Sequence, residues 1–243
     1  VRASAFDIFL KLNPFANFSE NTCVMKRILC RLFFVVLAAG VLLSVWIAID
    51  LYRPHKVDIP EFDADEVARL DTAMWRSYYD RERVRMFREM TELLEKQYHL
   101  PFWRRQLVAF YAAKGAFVFK DGRMREDYEK ALPDVEKFIG EIRDVSTTDF
   151  DVKEAARLEL EWWIVHRQRK QYKEGDLARA LADAAGALYR MQAENFLEYG
   201  NLRAEAMKIR DEKAESGGVT EADWQRIDDL LHQSWRSLHK AVN

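Results

Sequence analysis

Four side chains on three expected helices are of the types that hold paired divalent metal ions in helical bundles: Glu82, Glu159, His166 and Glu198. Such centres are built from Glu and His projecting inward from facing helices. Glu159 and His166 are seven residues apart, two helical turns, and so share one side of their helix. The strongest form of the signature, Glu-x-x-His on each of two helices, is absent. The nearest spacing is Asp229-x-x-His232, and both residues fall off the apolar stripe of Trp224, Leu231, Trp235 and Leu238.

Two expectations follow for the acids that share an apolar face, which also include Asp71 and Glu89. A buried carboxylate is costly unless it is paired, hydrogen-bonded or metal-bound. The first expectation is a metal-free polar network with no cofactor, in which arginines such as Arg76, Arg104, Arg105, Arg157, Arg203 and Arg210 form forks to carboxylates on neighbouring helices. The second is a divalent metal held by Glu82, Glu159, His166 and Glu198, which would make the chain a metal-dependent enzyme.

Other chemistries find less support. The two cysteines, Cys23 and Cys30, both precede the region from Tyr52 onward, which therefore has no disulfide, cysteine nucleophile or Cys-based zinc site. No H-E-x-x-H, G-x-S-x-G, P-loop or G-x-G-x-x-G occurs. A net charge of −2 argues against nucleic acid as a partner. Trp162-Trp163 and the group Phe102, Trp103, Phe110, Tyr111, Phe117 and Phe119 could line a pocket for a small apolar ligand, but at helical spacing they read first as core.

The elements that must position these residues are helical. Glycine (9) and proline (5) are scarce, and no run alternates as a half-buried strand should. Apolar periodicity predicts a first helix from about Asp63 to His99, stopped by Leu100-Pro101. A second spans Phe102–Lys120. A third covers about Glu126–Val145, kinked or split at Pro133, and a fourth runs from Thr148 or Asp149 to about Tyr172. The fifth and longest runs from Asp176 to about Ala214 and is closed by Gly217-Gly218. The sixth starts at Thr220 with Asp223 three residues on, a variant capping box. The fold class is all-α, an irregular bundle of five to seven helices over residues 63–243. Trp75-Arg76-Ser77 echoes Trp235-Arg236-Ser237, without a sustained repeat.

Ahead of the bundle lies a different kind of segment. From Leu32 to Ile49 the chain reads LFFVVLAAGVLLSVWIAI, uncharged throughout. At 1.5 Å per residue it spans roughly 27 Å, about the hydrocarbon thickness of a bilayer. Residues 25–51 are thus expected to form a transmembrane signal-anchor, with the lipid bilayer as partner through Leu32–Ile49. Lys26, Arg27 and Arg31 precede it, while Asp50, Arg53, Lys56 and Asp58 follow. The positive-inside rule then places the N-terminus in the cytoplasm and the bundle outside it, in the periplasm of a bacterium. A buried core helix would need partners on all sides. A cleaved signal peptide competes more closely, but its best small-residue site, Ala38-Ala39-Gly40, is followed by nine more uncharged residues. A lipoprotein is not supported, because Cys30 lies before the apolar core. Residues 52–62, with Pro54 and Pro60, read as an extended tether. Residues 1–24 lack periodicity, and Met25-Lys26-Arg27 reads as a natural start, so disorder or an untranslated extension is expected there.

The expected function is that of a membrane-anchored envelope protein whose helical domain binds a protein partner or small ligand without catalysis.

Overall fold

A computed structural model describes residues 14–243, with side chains from Met25 onward. The chain divides into two units, Val1–Tyr52 and Arg53–Asn243. Helix α1, Pro14–Tyr52, accounts for the described part of the first. No side chain between Leu32 and Ile49 is buried. The apolar stretch is long enough to cross a bilayer. Ser44 satisfies its hydroxyl within the helix by donating to Gly40 O at 2.9 Å, which keeps the outer surface of the span apolar. Helix is present from Pro14; the expectation for residues 1–13 lies outside the described residues.

Besides the four-residue helix Arg125–Tyr128, the second unit holds eight longer helices among the described residues: α2 Ala64–Tyr79, α3 Arg83–Tyr98, α4 Phe102–Lys120, α5 Leu132–Val145, α6 Val152–Arg167, α7 Asp176–Tyr189, α8 Leu197–Glu215 and α9 Glu221–Val242. Local chemistry accounts for most of their limits. Asp63 caps α2 by accepting from the N–H groups of Asp65 and Glu66, and Asp151 caps α6 through Lys153 and Glu154. Thr220 and Asp223 complete a reciprocal capping box at α9. Pro133 sits in the first turn of α5, where a missing N–H costs nothing, so it begins the helix after a short helical turn instead of kinking it.

Two expected long helices are each broken. The first splits into α2 and α3 at Arg81, and the fifth into α7 and α8 after Arg190; both arginines adopt left-handed backbone, with φ of 62° and 55°. Those two breaks turn the six expected helices into the eight longer ones of an all-α bundle.

From α2 to α9 each helix packs against its successor, and α9 returns to α2, so the helical layer closes on itself around a common interior. The main core draws Leu70, Leu94, Val108, Val135, Ile142, Ala156, Leu181 and Phe196 from α2 through the approach to α8. Among the described residues there is no strand. An isolated parallel bridge joins Val57 to Ser146, with Val57 N–H donating to Val145 O at 2.7 Å. The expected tether is therefore short. Beyond Lys56 the segment is already part of the domain, with Ile59 and Phe62 buried.

Candidate functional site

The centre of the closed layer is polar. Asp71, on the inner face of α2, is 1% exposed, so its charge must be met within the protein. Arg203 of α8 meets it: Nη1 donates to Asp71 Oδ2 at 2.5 Å and Nη2 to Oδ1 at 3.4 Å. Trp235 of α9 donates from Nε1 to the same Oδ2 at 2.9 Å. The guanidinium lies between two indoles, its Cζ 5.3 Å from the Trp75 ring and 5.6 Å from the Trp235 ring. Burial works against the Arg203 charge, but Asp71 outweighs it and holds the pKa above that of an ordinary arginine. The two Trp-Arg-Ser echoes thus bracket one buried cation. Their arginines are reciprocal too. Arg76 of α2 binds Glu221 at the start of α9 at 2.7 Å, and Arg236 of α9 binds Asp65 at the start of α2 at 2.6 Å.

Around this pair stand Tyr98, Tyr189, Tyr199 and Glu159, close enough for their charges to interact. Burial pushes the Tyr199 phenol up to about 12 and drives Tyr98 well above the usual phenol range. Gln97 donates to the Tyr98 hydroxyl at 2.9 Å. Glu159 is the odd charge, because the one arginine near it is already matched by Asp71. It keeps some accessible surface, yet its depth decides its ionisation. Burial raises its pKa above the usual 4.5, only partly offset by the Trp162 and Trp163 indoles and Arg203. Trp163 Nε1 donates to Glu159 Oε1 at 3.1 Å.

The consequence for stability has a definite sign. A carboxyl raised in the fold stabilises the native state fully below its unfolded pKa, and that contribution is lost as pH rises through the folded value. Glu159→Gln keeps an oxygen for Trp163 and removes the titration. The variant should melt with the native protein near pH 4 and increasingly above it as pH rises to neutrality. Thermal melts across that range check this; parallel curves would contradict it.

A second cluster lies along α8, two turns beyond Arg203. His166 Nε2 meets Asp211 Oδ2 at 3.0 Å, Arg210 Nη1 donates to Asp211 Oδ1 at 2.9 Å, and Arg169 bridges Asp211 and Glu215 at 3.5 and 2.5 Å. Burial opposes the Asp211 charge, but His166, Arg210 and Arg169 together outweigh it and hold the carboxyl below its usual range. The Arg210 guanidinium stacks on Tyr79, 3.2 Å from the ring centroid. A histidine oriented by a carboxylate is one half of a nucleophile-activating arrangement. Among the described residues no serine, threonine or cysteine hydrogen-bonds to His166.

The four residues expected to hold metal are not brought together. Glu82 is exposed at the start of α3 with Arg85 at 3.1 Å; Glu159 faces Trp163; His166 faces Asp211; Glu198 is exposed and accepts from Ser237 at 3.1 Å. Among the described residues no three His, Cys, Asp or Glu side chains form a group that could hold a metal ion. Glu198 is expected to project inward from the fifth helix. The break after Arg190 resets the helical phase and leaves it exposed. Glu89 does lie inside, accepting from Ser77 Oγ at 2.5 Å and Arg85 Nε at 2.9 Å.

The aromatic group on α4 divides. Phe119 joins Tyr128 and Trp163 in a buried cluster, whereas Phe102, Phe110 and Phe117 face outward and are not core. Sequence reasoning missed Asp211, whose partner His166 is 45 residues away. It had no reason to pick Tyr98, Tyr189 or Tyr199, which read as ordinary core.

No protein-family model, curated protein or solved structure matches the chain.

Proposed function

We propose that the chain is a single-pass membrane protein in which Leu32–Ile49 anchors the all-α domain on the extracytoplasmic side, and that the domain works by binding a protein partner or small ligand of the envelope without catalysis. The observation that carries this reading is the apolar stretch of α1, uncharged for roughly 27 Å and with no side chain buried. Such a surface is stable in lipid and costly in water. The cations Lys26, Arg27 and Arg31 on its N-terminal side favour the exported orientation. Within the domain, Asp71 and Asp211 are each engaged by donors from other helices, the arrangement of a framework that holds helices in place. Retention of the full-length chain in alkali-washed membranes tests the anchor.

A further inference from the structure

The corner between α2 and α3 is tight and fixed from several sides. Asp80 N–H donates to Arg76 O at 2.8 Å, and Glu82 N–H donates to Ser77 O at 2.9 Å. Arg81 is held in left-handed backbone at φ 62°, a conformation that glycine would adopt at less cost. What holds it there lies beneath. Ser77, 1% exposed, donates to Glu89 Oε2 at 2.5 Å, and Arg85 binds Glu89 and Glu82 at 2.9 and 3.1 Å. On the α2 side, Tyr78 and Tyr79 meet edge to face at 5.0 Å, and Tyr79 carries the Arg210 guanidinium on its ring. A backbone kept in a costly conformation by its surroundings raises the question of what it presents.

It presents an aromatic ring, a β-branched apolar side chain and three guanidinium groups. Tyr78 is 55% exposed, and Val84, in the first turn of α3, is 87% exposed. Arg88 stands one turn beyond Val84 on the same side of the helix. Arg85 is engaged by the carboxylates of the corner itself, but among the described residues no carboxylate pairs with Arg81, Arg83 or Arg88. The acid of the corner without a cationic partner is Asp80, so three unpaired cations stand against one unpaired acid.

Tyrosine and arginine around a small apolar centre, on backbone already ordered, are the side chains that anchor protein contacts. Guanidinium forks match planar carboxylates through two parallel hydrogen bonds. The signs along Asp80-Arg81-Glu82-Arg83 alternate. That suits a protein surface with acids at defined positions; the uniform negative charge of a bilayer or a nucleic acid would repel Asp80 and Glu82. A second copy fits less well, because a two-fold contact would set arginine against arginine.

The geometry points to the α2–α3 corner as a docking tip for a protein partner, with Tyr78 and Val84 against apolar atoms of that partner and Arg81, Arg83 and Arg88 meeting its carboxylates. The inference rests on the partner-binding reading of the domain and adds the chemistry of the partner's surface.

The test is made on the full chain in membranes of cells that produce it, with a benzophenone amino acid replacing Val84 or, as control, Lys153, exposed in the first turn of α6. On illumination, position 84 should crosslink to one other protein, at a segment carrying Asp or Glu, and position 153 should not. Arg83→Glu should weaken that crosslink about tenfold, and changing the facing acid to Lys should restore it. Arg81→Gly should weaken it too while raising Tm by about 2–4 °C, because glycine relieves the left-handed residue. A fall in Tm would make Arg81 part of the framework and overturn the proposal. So would a crosslink from 84 that ends on lipid, nucleic acid or a second copy of the chain, or one that Arg83→Glu leaves unchanged. Crosslinking from 153 but not from 84 overturns the corner and leaves the partner-binding reading standing. Silence from both sites overturns both.

Discussion

Asp71→Ala should destabilise the domain by roughly 3–5 kcal/mol, the usual cost of breaking a buried ion pair from one side. The size comes from what remains. Arg203 would keep its charge between Trp75 and Trp235 with no counter-charge, and the Trp235 indole N–H would lose its acceptor. For a domain of this length that corresponds to a fall in Tm on the order of 10 °C. Replacing the pair together, Asp71→Leu with Arg203→Met, removes both charges and should recover much of the loss. Thermal melts of the three variants check the argument. A single variant as stable as the native protein would mean that solvent reaches Arg203.

Gly200→Ala should also be costly. A Cβ at position 200 would stand 2.2 Å from Ala178 O, a backbone atom of α7 that no rotamer change can move. Helices α7 and α8 would have to separate, and overpacking of this kind costs roughly 1–3 kcal/mol. Alanine's better helix propensity returns only about 0.5–1 kcal/mol. Gly140→Ala in α5 is the matched control, since its Cβ would meet only Val152 Cγ1 at 3.9 Å. That variant should gain stability where Gly200→Ala loses it. Urea denaturation of both gives the two signs directly.

The sequence made some of this readable. The Thr220 capping box announced α9, and the uncharged run announced the apolar part of α1. Asp71 is legible as an acid on an apolar face, and arginine is the expected answer to an inward acid. The helix breaks were hidden because left-handed backbone is usually flagged by glycine or asparagine, whereas Arg81 and Arg190 adopt it here. Once the break after Arg190 was missed, the phase of the following residues was wrong, and Glu198 was turned inward when it faces out. Which arginine meets which acid is a tertiary fact: Arg203 and Asp71 are 132 residues apart. The Trp-Arg-Ser echo was the one trace of that centre in the sequence, too short to read without knowing that α2 and α9 are neighbours. The outward turn of Phe102, Phe110 and Phe117 was hidden for another reason. The helix is apolar on nearly every side, so periodicity could not say which face is buried.

The central claim is that Leu32–Ile49 anchors the domain on the far side of a membrane. It is tested most directly on sealed membrane vesicles of known orientation from cells expressing the full chain with a C-terminal tag. The vesicles are treated with protease from outside, and a parallel sample is washed with alkaline carbonate and weighed by intact mass. The account predicts that the tagged chain stays in the washed membranes with Leu32–Ile49 retained, and that the domain is digested only when the extracytoplasmic face is turned outward. Release of a species lacking Leu32–Ile49, or digestion of the domain from the cytoplasmic face, would contradict it.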